Sequence, residues 1–277
     1  MNGIPVLHLP VGNGGNGAGM TCELPMVIFI HVPKTAGMSF RHWLSAYFDG
    51  NVLLHGRSRL KPAAQVPGIS DRGFTDSRAT VCDVSQYLQT HRLNGVEKFS
   101  AIGGHITVDF PIVRRLRRPK LVLAAVRDPV ERAISRYVWV QANKRNHYDL
   151  VRNRTLYQSL KVKGLFVASI RNRQLDFIFG KKRDCPDWKV VVKHDRIDLL
   201  RERVQAIFGK REIAFPHRNR INQALKDDVA SQPDFDDAVS LLRDLNAEEI
   251  EFVNSFDAEV ELNRPADAAL PRQQVSA

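Results

Sequence analysis

The sequence predicts an α/β protein: a single domain with a central parallel sheet flanked by helices. Two segments carry that expectation. Residues 26–32 form an apolar run that breaks at Pro33-Lys34 and passes into a helical pattern, and residues 120–126 repeat the sequence of apolar run, charged turn and helix. Short apolar runs that alternate with helices are the signature of βαβ units, whose parallel strands are covered on both faces. The chain has 277 residues, enough for one well-buried domain and cramped for two.

Taken in order, residues 26–32 read as the first strand, followed by a lysine-bearing turn and a helix over 38–48. A Gly/Pro-rich stretch, 49–80, reads as irregular, with a short helix near 84–92. Residues 99–102 form a second strand, which Gly103-Gly104-His105 turns out of the sheet. Residues 120–126 are a third strand and 129–143 its helix, with Pro129 in the first turn, where its missing N–H costs nothing. Apolar positions from Leu165 to Phe179 suit one buried helix stopped by Gly180. Residues 189–193 read as a strand, 196–208 as a charged helix ending at Gly209, and 213–215 as an edge strand. Helices over 235–243 and 247–256 close a domain spanning 23–262. Residues 1–22, rich in Gly and Asn, and 263–277, polar and Ala-rich, are expected to be a flexible leader and tail.

The net charge of +11 calls for an acidic partner. Basic residues cluster at 114–118, 144–154, 181–183 and 218–220. Neither a DNA-reading helix nor an aromatic-studded RNA-binding sheet accompanies them, so nucleic acid is not the expected partner. The longest apolar run, 121–126, falls far short of the roughly 20 residues that cross a bilayer, and a secretory leader pattern is absent. A soluble, cytoplasmic, bacterial enzyme is the expectation. Three widely spaced cysteines, Cys22, Cys82 and Cys185, suit neither a disulfide framework nor a zinc site. His55, His91, His147, His194 and His217 lack the spacing of metal ligands, and no metal is expected.

The turn after the first strand is built to hold phosphate. Successive N–H groups and the positive end of the following helix surround an anion, Gly37 permits close backbone approach, and Lys34, Thr35 and Ser39 add side-chain donors. The Walker A order places Lys after its second Gly, whereas here Lys34 precedes Gly37, which excludes an ordinary ATPase loop. In the second unit Arg127 stands at the carboxyl end of a strand, where open parallel sheets bind ligands. Ser135 lies about two helical turns further on, so one phosphate can bridge the two. His105 leaves the sheet at the same edge, while His31, just before the phosphate turn, reads as structural.

The wording Val32-Pro-Lys-Thr-Ala-Gly37 and Arg127-Asp-Pro-x-x-Arg132-x-x-Ser135-x-Tyr137, with Gly104-His105 and Ile170-Arg-Asn-Arg-Gln174, resembles the PAPS-dependent sulfotransferases. It looks most like the carbohydrate branch that contains the uronosyl 2-O-sulfotransferases. The likeness spans roughly residues 24–262 and thins beyond about 185. It implies a P-loop-like sulfotransferase fold and the donor 3′-phosphoadenosine-5′-phosphosulfate (PAPS), with no metal. It implies binding of that donor by Lys34, Thr35, Ala36, Gly37, Met38, Ser39, Arg127 and Ser135. Lys34 would contact the leaving group, and His105 would be the base that accepts the proton of a carbohydrate or glycan hydroxyl, an acceptor that the basic charge allows to be anionic. Asp109 and Glu131 are weaker candidates for the base, Glu131 reading better as a carboxylate at a helix start. Asn172 and Gln174 either line the acceptor cleft or face solvent, and 216–220 loosely resembles a basic loop over the nucleotide. Animal members of that branch carry a transmembrane anchor that this sequence does not show.

Two other classes compete. A phosphotransferase would use the same cradle for ATP, yet Asp128, the acid after the apolar run, is followed by Pro and occupies the second phosphate loop. A non-catalytic basic module for acidic polymers would leave the pattern from Lys34 to Ser39 without a purpose.

Overall fold

The computed structural model describes residues 24–35, 37–55, 82–83, 96–143, 151, 153–162, 164–183, 185–215 and 223–265. Ala36, Cys22, the expected leader, the helix near 84–92, most of the 49–80 and 144–154 stretches, the 216–220 loop and nearly all of the tail lie outside them.

Seven strands form one sheet: β1 (Met26–Ile30), β2 (Val52–His55), β3 (Cys82–Asp83), β4 (Ala101–Gly104), β5 (Lys120–Val126), β6 (Trp188–Lys193) and β7 (Glu259–Leu262), in the order β3-β2-β4-β1-β5-β6-β7. All pairs are parallel except β6 with β7. The α/β class is therefore observed. Strand β1 sits centrally and is wholly buried, which is why its run is continuously apolar instead of alternating.

Its two faces feed two cores. Met26, Ile28 and Ile30 join Val122, Ala124 and Val126 beneath α2 (Pro111–Arg115), with Phe177 and Val253. Val27 and Phe29 join Leu121, Leu123 and Ala125 beneath Phe40, Trp43 and Leu44 of α1 (Gly37–Tyr47). A third cluster gathers Ala133, Tyr137 and Val140 of α3 (Pro129–Asn143). Leu156 and Leu160 of α4 (Leu156–Lys161) and Phe166 of α5 (Leu165–Ala168) pack against it.

Several expectations are corrected. The single helix over 165–179 is two, α5 and α6 (Arg173–Phe179), because Asn172 adopts a left-handed φ of 41° between them. Its N–H is received there by Asn246 Oδ1 at 2.9 Å. The second strand runs through Gly103 and Gly104, whose partners are Phe29 and Ile30. The sheet is tight at Gly103, where a Cβ would stand 3.2 Å from the Phe29 Cβ and oblige it to shift by a few tenths of an ångström. Residues 213–215 are not a strand; the sheet ends instead at antiparallel β7, which Arg203 of α7 (Asp198–Phe208) clasps through Glu259 at 2.6 Å and Glu261 at 3.3 Å. Helices α8 (Gln223–Ala230), α9 (Phe235–Leu245) and α10 (Ala247–Asn254) follow. Among the described residues, no helix is long and apolar enough to cross a membrane.

Candidate functional site

At the carboxyl edge of the sheet the strand order sets out a row: His105 after β4, His31 and Lys34 after β1, Arg127 after β5 and His194 after β6. This is the edge at which open parallel sheets hold ligands.

Lys34 has a left-handed φ of 76°, an uncommon conformation for a non-glycine residue and one that turns neighbouring N–H groups toward a common point. Its ammonium lies 5.9 Å from the centre of the Trp139 ring, which the Arg136 guanidinium also faces at 4.8 Å. Burial lowers the Lys34 pKa to about 8, and the positive charges of Arg136 and Arg127 push in the same direction. Three cations thus converge from β1, β5 and α3. Arg136 was not singled out in the sequence; the signal available was its place one residue beyond Ser135 on the helix that carries that candidate.

The other residues of the turn have local roles. Thr35, buried, donates its hydroxyl proton to the Val32 carbonyl at 2.9 Å. Ser39 is buried on α1, and half-buried Met38 offers its sulfur to Arg41 at 3.8 Å. Gly37 also has a local role. A Cβ there would lie 2.1 Å from His31 Cδ2 and 2.7 Å from Nε2, so the missing side chain makes room for an imidazole. Ser135 is 1% exposed, and its hydroxyl has no hydrogen-bond partner among the described residues.

Arg127 is held from two sides. Its side chain pairs with Glu131 one turn along α3, at 2.5 and 3.2 Å, and this bond lowers the Glu131 pKa. Its peptide is gripped by Gln174, which accepts the Arg127 N–H and donates to the Arg127 carbonyl, both at 2.8 Å. Gln174 is fully buried and bound in turn by Glu249 at 2.6 and 2.9 Å, while Arg132 reaches Glu249 at 3.4 Å and the Ile170 carbonyl at 2.5 Å. Gln174 therefore does not line a cleft. It belongs to a buried scaffold under the end of β5. Burial raises the Glu249 pKa against the opposing pull of Arg132 and Gln174.

His105 is exposed. Its Nδ1 lies 3.0 Å from the His31 carbonyl oxygen. A carbonyl can only accept, so Nδ1 carries the proton and Nε2 of the neutral ring carries the lone pair. Its ring stacks on that of His31 with centroids 4.4 Å apart and planes 23° from parallel. His31 is 4% exposed. Burial holds it well below the usual histidine range, helped by His105, Arg41 and Lys34.

The weaker base candidates have other partners. Asp109 accepts the Lys181 N–H at 2.8 Å and packs against Gly180, where a Cβ would meet its carboxylate at 2.4 Å. Glu131 is occupied by Arg127. Asp128 caps α3, accepting the Glu131 N–H at 2.8 Å, as an N-cap aspartate does. His194, unremarked as a ligand in the sequence, has its pKa lowered by burial and by Arg127, with Lys226 of α8 acting the same way. Asp195 and Glu131 oppose that shift.

The basic runs elsewhere are partly structural. Arg118 donates to the Glu97, Phe99 and Leu24 carbonyls at 3.2, 3.3 and 2.8 Å, and Arg183 pairs with Glu248 and Asp176. Among the described residues, no group of three His, Cys, Asp or Glu side chains is placed to hold a metal ion.

No family model matches this sequence, and no curated protein does. Among solved structures, the chain is similar to a sulfotransferase from Alicyclobacillus acidocaldarius at 18% identity and a TM-score of 0.32, over 80% of this chain and 95% of that one. A likeness at that score adds no weight to any reading of the site.

Proposed function

We propose that this chain is a sulfotransferase that moves a sulfonyl group from PAPS to a hydroxyl of a carbohydrate or glycan. The observation that carries the reading is the convergence of Lys34, Arg127 and Arg136 one strand away from a histidine whose Nε2 holds the lone pair. Glu131 already pairs with Arg127, and the like charges that Lys34 and Arg136 bring together at partial burial favour an anion of high charge density beside them. The buried Ser135 hydroxyl, without a partner among the described residues, suits a phosphate oxygen as well.

In this reading the donor supplies an SO3 group on a phosphosulfate anhydride, with phosphates at both ends of its ribose. Lys34 and the N–H groups of the turn hold the 5′ side, together with Thr35, Ala36, Gly37, Met38 and Ser39; Arg127 and Ser135 hold the 3′ phosphate. His105 Nε2 takes the hydroxyl proton of the acceptor, which does not ionise by itself near neutral pH. Lys34 meets the negative charge that grows on the leaving oxygen, the largest service a protein renders in such in-line transfers. Because Asp128 is engaged as a helix cap, the second loop is better suited to binding phosphate directly than through a metal ion.

The test is transfer of labelled sulfonate from PAPS across a panel of neutral and anionic sugars, glycans and lipid-linked saccharides. Label on at least one acceptor, lost in Lys34→Ala and in His105→Ala, is the expected result. No labelled product from any acceptor, with PAP bound normally, removes the carbohydrate assignment.

A further inference from the structure

The side chain of His31 is unexplained by donor binding or by proton transfer, yet it touches both parts of the machinery. Its N–H donates to the Gly104 carbonyl at 2.8 Å and its carbonyl receives His105 Nδ1 at 3.0 Å. The backbone on either side of this one residue is therefore fastened to the segment carrying the base. One neighbour of its ring is the imidazole of His105 at 4.4 Å. Another is the first residue of α1, Gly37, with too little room for a methyl group. Phe29 lies near-parallel to the ring at 6.1 Å.

A leucine or phenylalanine would be the ordinary occupant of a site 4% exposed, and His31 Nδ1 is buried there without a hydrogen-bond partner among the described residues. A buried polar atom left unpaired is a cost that asks for a compensating role. The charged groups facing the ring are Lys34, Arg41 and His105, all cationic or able to become so. Two imidazoles stacked this closely do not both carry charge, and the buried ring is the one that stays neutral.

We propose that His31 is the positioning residue of this site, a neutral buried ring that fixes the plane of His105 on one side and seats Gly37 and the donor turn on the other. The proposal rests on the sulfotransferase reading for its kinetic consequence, but not for its geometric one. A single side chain then sets the spacing between the base and the donor loop. Loss of the stacked plane lets His105 rotate away from the His31 carbonyl, and Nδ1 no longer holds the proton uniquely.

The experiment uses ring nitrogen NMR and kinetics on the full chain, in the parent, His31→Phe and His31→Leu. In the parent, His105 should show the Nδ1–H tautomer, and His31 should remain neutral well below the ordinary histidine pKa of about 6.5. His31→Leu should lose the single tautomer and about tenfold or more in kcat, the scale of a misplaced catalytic group, together with a weaker affinity for PAP as Gly37 and the donor turn shift. His31→Phe, which keeps a flat ring, should recover most of that kcat. A His31→Leu protein with parental kcat and an unchanged His105 tautomer overturns the proposal, as does a His31→Phe protein no faster than His31→Leu. Should His31→Leu fail to fold, a parent whose His31 titrates like an exposed histidine is sufficient to reject it. If the parent transfers no sulfonate at all, the functional reading fails, and the NMR measurements still decide the role of His31.

Discussion

The side-chain amide of Gln174 closes on the peptide of Arg127 with two hydrogen bonds of 2.8 Å, one received from its N–H and one given to its carbonyl. A side chain on α6 thereby fixes the exit of β5, the point where the chain leaves the sheet for the second phosphate loop. Gln174→Ala leaves the Arg127 peptide and Glu249 short of partners, each unmet buried group costing about 1–3 kcal/mol. The expected result is a loss of roughly 2–4 kcal/mol in denaturant unfolding, accompanied by weaker PAP binding as Arg127 loosens. Unchanged stability would mean that the scaffold does not support the loop.

Gly37→Ala tests the contact with His31. A methyl group 2.1 Å from Cδ2 has to displace the ring or the helix, and overpacking of this kind costs about 1–3 kcal/mol. A melting temperature lowered by roughly 2–10 °C is expected for a chain of this size. A parental melting temperature would show that His31 yields without cost.

The depressed pKa of Lys34, about 8, gives PAP binding a pH dependence of definite sign. Below about 8 the ammonium is charged and ready for the anion; above it, binding has to recruit a proton. Affinity should therefore fall as pH rises from 7 to 9.5, with proton uptake visible when calorimetry is repeated in buffers of different ionisation enthalpy. The stability linkage of the ligand-free protein runs the other way. Between about 8 and the ordinary lysine value near 10.4, the unfolded chain holds a proton that the folded one has released, so this group makes stability rise with pH across that window. Lys34→Met should lack both effects. Binding that is flat with pH in the parent would contradict the placement of Lys34 against the anion.

His105→Ala should keep its affinity for PAP while losing about 10²–10⁴-fold in transfer rate, the usual range for a general base. The parent rate should fall in mild acid as the imidazole protonates, and that limb should be missing in the variant. Near-parental transfer by His105→Ala would remove histidine from the mechanism.

The strand and helix of the two units at β1–α1 and β5–α3 were legible because physical punctuation marks them: an apolar run, a Pro or Gly turn, then helical spacing, as at Ile30 to Gly37 and at Val126 to Pro129; β2, inside the stretch 49–80 read as irregular, was not. Less was legible where the deciding contact is distant in sequence. Gly37 reads as a backbone donor to phosphate, and only the folded position of His31 reveals what its missing Cβ admits. Gly103 and Gly104 read as a turn because glycine is a poor strand former, although both pair with β1 and Gly103 packs closely against Phe29 across the sheet. The break at Asn172 carries neither Gly nor Pro, and its left-handed backbone is stabilised by Asn246, far along the chain. Gln174 reads as a polar helix residue facing solvent or a cleft; its buried partners Glu249 and Arg127 come from α10 and the exit of β5. Arg136 joins the cation cluster through the rotation of α3, which the local pattern does not weigh against Arg132, one turn earlier and fully buried.

The most direct test of the central claim is a calorimetric titration of the metal-free parent with PAP, beside ATP with Mg²⁺ and adenosine 5′-monophosphate. The account predicts PAP binding in the low micromolar range or tighter, about −8 kcal/mol, with at least about tenfold weaker binding of the nucleotide that lacks the 3′ phosphate. Lys34→Ala and Arg127→Ala should each cost PAP roughly 1.5–3 kcal/mol, the scale of a charge-assisted hydrogen bond. A parent that binds ATP with Mg²⁺ in preference to PAP, or variants that bind PAP as well as the parent does, would contradict it.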